Sequence, residues 1–154
     1  MEIRMDGRVA LITGGSKGLG YAMGLKFAKS GAQVALAART EAEVRQAALS
    51  ITQTTGQKAV GYACDVANAD DIKQLHQAVT TDFERIDILV NNAGFAKAGA
   101  FESITDDEWQ YDLDLKLMAA VRLSRLVLPS MKANRWGRII NMLNTLAKTP
   151  AKGS

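Results

Sequence analysis

Three short stretches of this chain carry residue types that could hold or act on a ligand. The first is Thr13-Gly14-Gly15-Ser16-Lys17-Gly18-Leu19-Gly20, which directly follows the apolar run Val9 to Ile12. Gly14, Gly18 and Gly20 let the backbone turn sharply and approach a ligand, while free N–H groups at the start of the next helix face an anion. A pyrophosphate is the natural guest. The spacing Gly14-x-x-x-Gly18-x-Gly20 departs from the usual G-x-G-x-x-G, so on its own it suits an ordinary strand-to-helix turn equally well.

The second stretch ends a later apolar run, Val34-Ala35-Leu36-Ala37, in Ala38-Arg39. About 20 residues beyond such a loop, an acidic residue normally holds the adenosine ribose 2′-hydroxyl. Here a guanidinium stands there instead. Arg39 and Lys17 could both pair with a 2′-phosphate, which an Asp or Glu would repel, so NADP is expected over NAD. The alternative at this point is that both are exposed surface charges. The third set comprises Asp65, a candidate contact to an adenine amino group, and Asn91-Asn92-Ala93-Gly94, where the small residues would let a flat cofactor approach the chain.

Positioning these groups requires strands that deliver them at their carboxyl ends, where open α/β sheets bind ligands. Val9 to Ile12 is apolar without alternation, as a parallel strand covered on both faces must be. Leu19, Ala22, Met23 and Phe27 then recur at helical spacing and Ser30-Gly31 supplies a stop, closing one βαβ unit. Thr40-x-x-Glu43 has capping-box spacing for a helix through Val44, Ala47, Ala48 and Ile51. Ala59 to Ala63 reads as a third strand, and Asn68-x-x-Asp71 opens a helix carrying Ile72, Leu75, Val79 and Phe83. Residues 86 to 90 give a fourth strand, and residues 95 to 104 a loop with one short helical or extended piece.

Thr105-x-x-Glu108 is another capping box, opening a helix that extends to about Lys132, bent or loosened near its end by Pro129. Trp109, Leu113, Leu117, Ala120, Val121 and Ser124 make one stripe, and Leu115, Met118, Leu126 and Met131 a second. Such a helix needs burial on two sides: the sheet on one, and on the other either a second subunit, which gives a homo-oligomer through residues 105–132, or another helix of the chain. Arg138 to Met142 completes a fifth strand, and the tail beyond it reads as a loop.

Composition limits the alternatives. A chain of 154 residues with 47% hydrophobic and 23% charged residues suits one globular domain. Its net charge of +3 is spread along the sequence, with no basic run interleaved with aromatics, so a nucleic-acid partner is not expected. No apolar segment reaches the roughly 18 residues of a membrane span, and no membrane association is expected. The lone Cys64 and the start Met1-Glu2-Ile3-Arg4 fit a reducing, cytoplasmic setting. Neither Cys64 nor His76 has a metal-ligand neighbour at useful spacing, and His76 is expected on a polar helix surface.

Thr13-Gly14-x-x-x-Gly18-x-Gly20, Asp65 after the third strand, Asn91-Asn92-Ala93-Gly94 after the fourth and Gly137-Arg138-Ile139-Ile140-Asn141 at the fifth, in this order, resemble the short-chain dehydrogenase/reductase family. The resemblance covers essentially all 154 residues. It implies an α/β Rossmann-type doubly wound parallel sheet of order 3-2-1-4-5, and NAD(P)-dependent oxidation of an alcohol or reduction of a carbonyl in a small molecule. Carried over residue by residue, it places Gly14, Ser16, Lys17, Gly18 and Leu19 around the pyrophosphate and the adenosine side. It sets Arg39 at the 2′-phosphate, Asp65 and Val66 at the adenine, and Asn91, Ala93 and Gly94 at the nicotinamide-side ribose.

The same carry-over implies a catalytic Tyr with a Lys four residues on, a Ser that positions the carbonyl, and an Asn that supports a proton-relay water. The Ser position falls on Asn144, which can donate an amide N–H to an oxygen, and the relay position on Lys116, either a cation near the site or a solvent-facing helix residue. Tyr21, Tyr62 and Tyr111 are followed four residues later by Leu25, Val66 and Leu115, so no Tyr-x-x-x-Lys is present. Residues 1–154 are therefore expected to form a single NAD(P)-binding domain, the N-terminal part of a longer one.

Two functional classes follow. The first is an NADP(H)-dependent oxidoreductase with Asn144 and Lys116 at its reacting end. The other is a nucleotide-binding module without turnover, acting as a sensor or partner subunit, which the substitutions at 116 and 144 favour.

Overall fold

The computed structural model describes residues 4–95 and 99–143. Its elements follow the chain as β1 (Val9–Thr13), α1 (Gly18–Lys29), β2 (Gln33–Ala38), α2 (Glu41–Thr55), β3 (Ala59–Ala63), α3 (Ala69–Phe83), β4 (Ile88–Asn91), α4 (Asp106–Leu113), α5 (Ala119–Ala133) and β5 (Arg138–Asn141). The five strands form one sheet in the order β3-β2-β1-β4-β5 with every pairing parallel, the Rossmann arrangement that the sequence implies. The strand order reverses beside β1, so the carboxyl ends of β1, β2 and β4 open onto a common crevice.

The strands lack hydrophobic alternation because both sheet faces are covered. Val9 and Leu11 face the side packed by Leu75, Val79, Leu123 and Val127 of α3 and α5. Ala10 and Ile12 face the opposite side, with Val44 and Ile51 of α2. Gly61 of β3 is required by this packing, because a Cβ there would run into the Val44 carbonyl of α2.

The helical run from Asp106 to Ala133 has the expected extent but is not uniform. Residues Asp114–Met118 form a π-turn between α4 and α5, an i→i+5 insertion that shifts the faces of the two halves relative to one another. This phase shift explains why the core stripe is Leu115, Ala119, Leu123, Val127 and Met131. Met118 and Leu126, expected with it, are only half-buried. The other expected stripe is largely open, with Trp109, Leu113, Leu117 and Val121 all exposed. α5 continues through Pro129, whose side is exposed, to Ala133.

Helix starts differ in the same informative way. Thr105 forms its capping box with Glu108, and Asn68 accepts from the N–H groups of Asp70 and Asp71. Thr40 makes no side-chain cap, and the Glu43 carboxylate lies against Ser16 rather than returning to the helix start. β4 starts at Ile88, two residues later than the sequence suggests, although the Asp87 backbone still bonds to Val9 and Arg138 on either side. His76 is half-buried on α3, and burial holds its pKa below the ordinary value. The short piece expected within the 95–104 loop is a 3₁₀ turn, Phe101–Ser103, among the described residues; residues 96–98 and the tail from 144 lie outside them.

Asp87 pins the amino ends of three strands. Its carboxylate accepts from the Val9 N–H at 3.0 Å, from Arg85 Nε at 2.9 Å and from Arg8 Nη1 at 3.3 Å, with the side chain only 2% exposed. Its backbone donates to the Val9 carbonyl and accepts from the Arg138 N–H, each at 2.9 Å. Removing the carboxylate strands a buried N–H, which costs about 2 kcal/mol. Asp87→Ala is therefore expected to lower unfolding stability by about that amount in a urea titration; an unchanged midpoint would show that the pin contributes nothing.

Candidate functional site

The crevice above β1, β2 and β4 is built from strand exits. A cleft of about 420 Å³ is walled by the glycine loop, the ends of β2 and β3, and the segment after β4. It brings together Gly14, Ser16, Lys17, Leu19, Arg39, Asp65, Val66, Ala93 and Gly94, nine positions singled out from sequence. Gly18 lies in a shallow extension of this wall with Ser16, Lys17 and Glu43. Asn91 and Lys116 line a second basin of about 770 Å³, which meets the first at Leu19, Asn92, Ala93, Gly94, Phe95 and Leu115. Asn144 lies outside the described residues.

The glycine loop fits a closely approaching anion. Gly14 and Gly18 have φ of +65° and +58°, the left-handed region that glycine enters without a Cβ penalty. A Cβ on Gly20 would fall on the Gly14 carbonyl oxygen, and one on Gly14 would lie 3.0 Å from the Ala93 Cα. The helix that follows starts bare: Lys17, its N-cap, makes no side-chain cap and the first turn holds no acidic residue. Helices α3 and α4, by contrast, are capped and begin with two and three acidic residues respectively. The unsatisfied donors and positive dipole end of α1 are thus left for a ligand.

Two side chains hold this loop against the β4 exit. Thr13 Oγ1 accepts from the N–H groups of Asn92 and Ala93, both at 3.0 Å, and donates to the Val90 carbonyl at 3.3 Å. Asn92 Nδ2 returns the contact, donating to the carbonyls of Thr13 at 3.0 Å and Gly14 at 3.3 Å. Neither residue is among the sequence-derived ligand contacts. The signal for Thr13 was available as a hydroxyl ending an otherwise apolar strand. For Asn92 it was an amide next to two small residues.

Charge in the first cleft is mixed. Lys17 Nζ stands 3.7 Å from Glu43 Oε2, which also accepts from Ser16 Oγ at 3.4 Å. Arg39 extends along the opposite wall, with Nη1 3.4 Å from the Tyr111 hydroxyl and the guanidinium 5.8 Å from the Phe95 ring centre. Spacing alone does not place Glu43 in this cleft or Tyr111 against Arg39, since both depend on how α2 and α4 turn relative to the sheet. Asp65 Oδ1 accepts from the Ala67 N–H at 3.0 Å, and Asp71 accepts from the Asp65 N–H at the same distance, which fixes the loop after β3. Cys64 is buried in that wall; burial, with Asp71 and Asp65 nearby, pushes its thiol up to about 12, so at neutral pH it stays protonated.

The second basin is mainly apolar, and Lys116 is the titratable group among the described residues lining it. It sits on the π-turn with Nζ 2.7 Å from Asp112 Oδ1. That turn is braced by Arg122, which reaches Asp114 at 2.8 Å and donates to the Ala67 carbonyl at 3.2 Å, tying it to the loop after β3. At the basin floor, Asn91 Nδ2 donates to Asn141 Oδ1 at 2.8 Å across β4 and β5. No group of three or more potential metal ligands occurs among the described residues, and no described helix is long and apolar enough to cross a membrane.

A family model described as short chain dehydrogenase matches residues 8–154. The 3-oxoacyl-(acyl-carrier-protein) reductase FabG of Vibrio cholerae is 36% identical over 140 residues, covering 91% of this chain and 56% of that protein. The D-beta-hydroxybutyrate dehydrogenase of Cupriavidus necator is 34% identical over 142 residues, 92% of this chain and 54% of that protein. L-sorbose reductase from Gluconobacter frateurii, solved with NADPH and L-sorbose, superposes with a TM-score of 0.95 at 37% identity, covering 98% of this chain and 57% of that one. The chain thus spans little more than half the length of these relatives.

The clamp can be broken with little change of shape. Thr13→Val keeps the volume but leaves two backbone N–H groups without their acceptor, an expected loss of about 2 kcal/mol. Urea unfolding checks this, and equal stability of the variant would mean that water replaces the hydroxyl at no cost.

Proposed function

We propose that this chain, which belongs to the short-chain dehydrogenase family, supplies the cofactor-holding part of an NADP(H)-dependent oxidoreductase acting on a small carbonyl or alcohol substrate. The observation that carries the reading is the convergence of Lys17 and Arg39 with the bare start of α1 in one cleft, closed at its far end by Asp65 and Val66. Relatives named as reductases and dehydrogenases, and the NADPH-bound L-sorbose reductase, support it. The residues present fit a dinucleotide: glycines where a Cβ would block the backbone, uncapped donors for a pyrophosphate, and cations for a 2′-phosphate.

When bound, the nicotinamide supplies or accepts the hydride. The chain's own residues bind and orient. The N–H groups opening α1, with Gly14, Gly18 and Leu19, take the pyrophosphate, and Ser16, Lys17 and Arg39 take the adenosine side with its 2′-phosphate. Asp65 and Val66 bound the adenine slot. Asn91, Ala93 and Gly94 hold the nicotinamide-side ribose next to the second basin, where the substrate oxygen enters. Lys116 provides a cation for that oxygen as negative charge develops, and Asn144 an amide donor.

The protein belongs to the cytoplasm in this reading, as a homo-oligomer packed through the exposed stripe of the 105–132 segment. Residues 1–154 act as the N-terminal part of a longer NAD(P)-binding domain, a reading supported by the chain's spanning little more than half of its relatives. The reading of a binding module without turnover differs in one observable, since it predicts NADPH binding with no substrate-dependent oxidation.

The cofactor assignment is tested by fluorescence titration with NADPH and NADH. NADPH is expected to bind more tightly, and Arg39→Ala to weaken it about 10- to 100-fold while leaving NADH nearly unaffected, the range for losing a charge-assisted contact to phosphate. Equal affinities for both cofactors, or unchanged NADPH binding in the variant, would overturn it.

A further inference from the structure

Glu43 is placed oddly for a residue of a cation-bearing phosphate site. The spacing Thr40-x-x-Glu43 suits a capping box, yet the box does not form, and α2 begins without a side-chain cap. The Glu43 carboxylate points across to α1 instead, meeting Lys17 Nζ at 3.7 Å and Ser16 Oγ at 3.4 Å. It lines the main cleft beside Arg39 and Thr40, and also the shallow extension at Gly18. An anion therefore already sits against one of the two cations expected to hold a 2′-phosphate.

Both partners are open to water: the side chains of Lys17 and Glu43 are 81% and 48% exposed. Such a pair is weak and readily exchanged. A 2′-phosphate entering between Lys17 and Arg39 would meet repulsion from Glu43 and compete with it for Lys17. A ribose with a free 2′-hydroxyl presents a donor instead, which a carboxylate accepts. The other acidic residue at this helix start, Glu41, is engaged with Arg45 at 2.6 Å and does not line the cleft.

We infer that Glu43 is a specificity-determining residue that lowers affinity for the 2′-phosphorylated cofactor and supports the unphosphorylated one, so that the site takes NADP(H) preferentially but still accepts NAD(H). The inference rests on the cofactor reading above and adds the group that sets the ratio. Lys17 and Arg39 pull that ratio toward the phosphorylated form, and Glu43 pulls it back.

The test is a set of dissociation constants for NADPH and NADH, measured on the full chain as wild type, Glu43→Gln, Glu43→Asp and Arg39→Ala. Glu43→Gln keeps size and polarity and removes the charge. It is expected to tighten NADPH about fivefold and weaken NADH about threefold, of the order of one solvent-screened charge interaction. The NADPH gain should shrink in high salt because the groups are exposed. Glu43→Asp should retain most of the wild-type ratio.

If Glu43→Gln leaves the NADPH/NADH ratio unchanged while wild type prefers NADPH and Arg39→Ala abolishes that preference, the role of Glu43 is overturned and the cofactor reading stands. If wild type shows no preference and Arg39→Ala has no effect, the cofactor reading fails and the inference falls with it. A ratio shift of equal size in Glu43→Gln and Glu43→Asp would also overturn the inference, by showing that shape and not charge matters.

Discussion

The arrangement depends most on the exchange of hydrogen bonds between Thr13 and Asn92. The Thr13 hydroxyl takes two N–H groups from the chain leaving β4, and the Asn92 amide takes two carbonyls from the chain leaving β1. Strand pairing between β1 and β4 ends at Ile12 and Val90, so without this lattice the two exits would diverge at the point where a ligand must be gripped between them. Backbone groups that would otherwise need water or secondary structure are satisfied by two side chains. The crevice can then stay open while the backbone of the two exits beneath it is bonded.

With that floor fixed, the remaining features divide by what they leave unsatisfied. Helices α3 and α4 fill their own amino ends with caps and acids; α1 does neither. Asp87 performs the corresponding service at the opposite edge of the sheet, where the amino ends of β1, β4 and β5 are tied down. The end away from the crevice is thus closed by a buried carboxylate, while the crevice keeps the uncapped start of α1 and the exposed, weakly held cation Lys17. The π-turn adds a further displacement, carrying Leu115 into the seam between the two basins and Lys116 into the second.

Much of this was legible in the sequence because it depends on local rules. Apolar runs without alternation mark strands buried on both faces, and the glycine, Asp65 and Asn-Asn-Ala-Gly stretches fall at strand ends, where the sheet brings nine of the expected positions into one cleft. What was not legible depends on orientation between elements. Thr40 and Glu43 have capping spacing, but Glu43 turns to Lys17, because a nearby cation on α1 competes with the helix start. The two apolar stripes of the long helix assume a continuous α-helix. A π-turn advances the phase by one residue, so Ala119, Leu123 and Val127 bury where Met118 and Leu126 were expected. No spacing rule in a single sequence announces such an insertion.

The central claim is that the glycine loop, Arg39, the loop after β3 and the segment after β4 form one ligand site. Amide NMR during a titration with NADP⁺ tests it most directly. Resonances of Gly14 to Leu19, Arg39, Asp65, Val66 and Asn91 to Gly94 should shift together along a single saturating curve, while those around Asp87 stay still. Shifts confined to one of these stretches, or curves with different midpoints in different stretches, would contradict a single dinucleotide site.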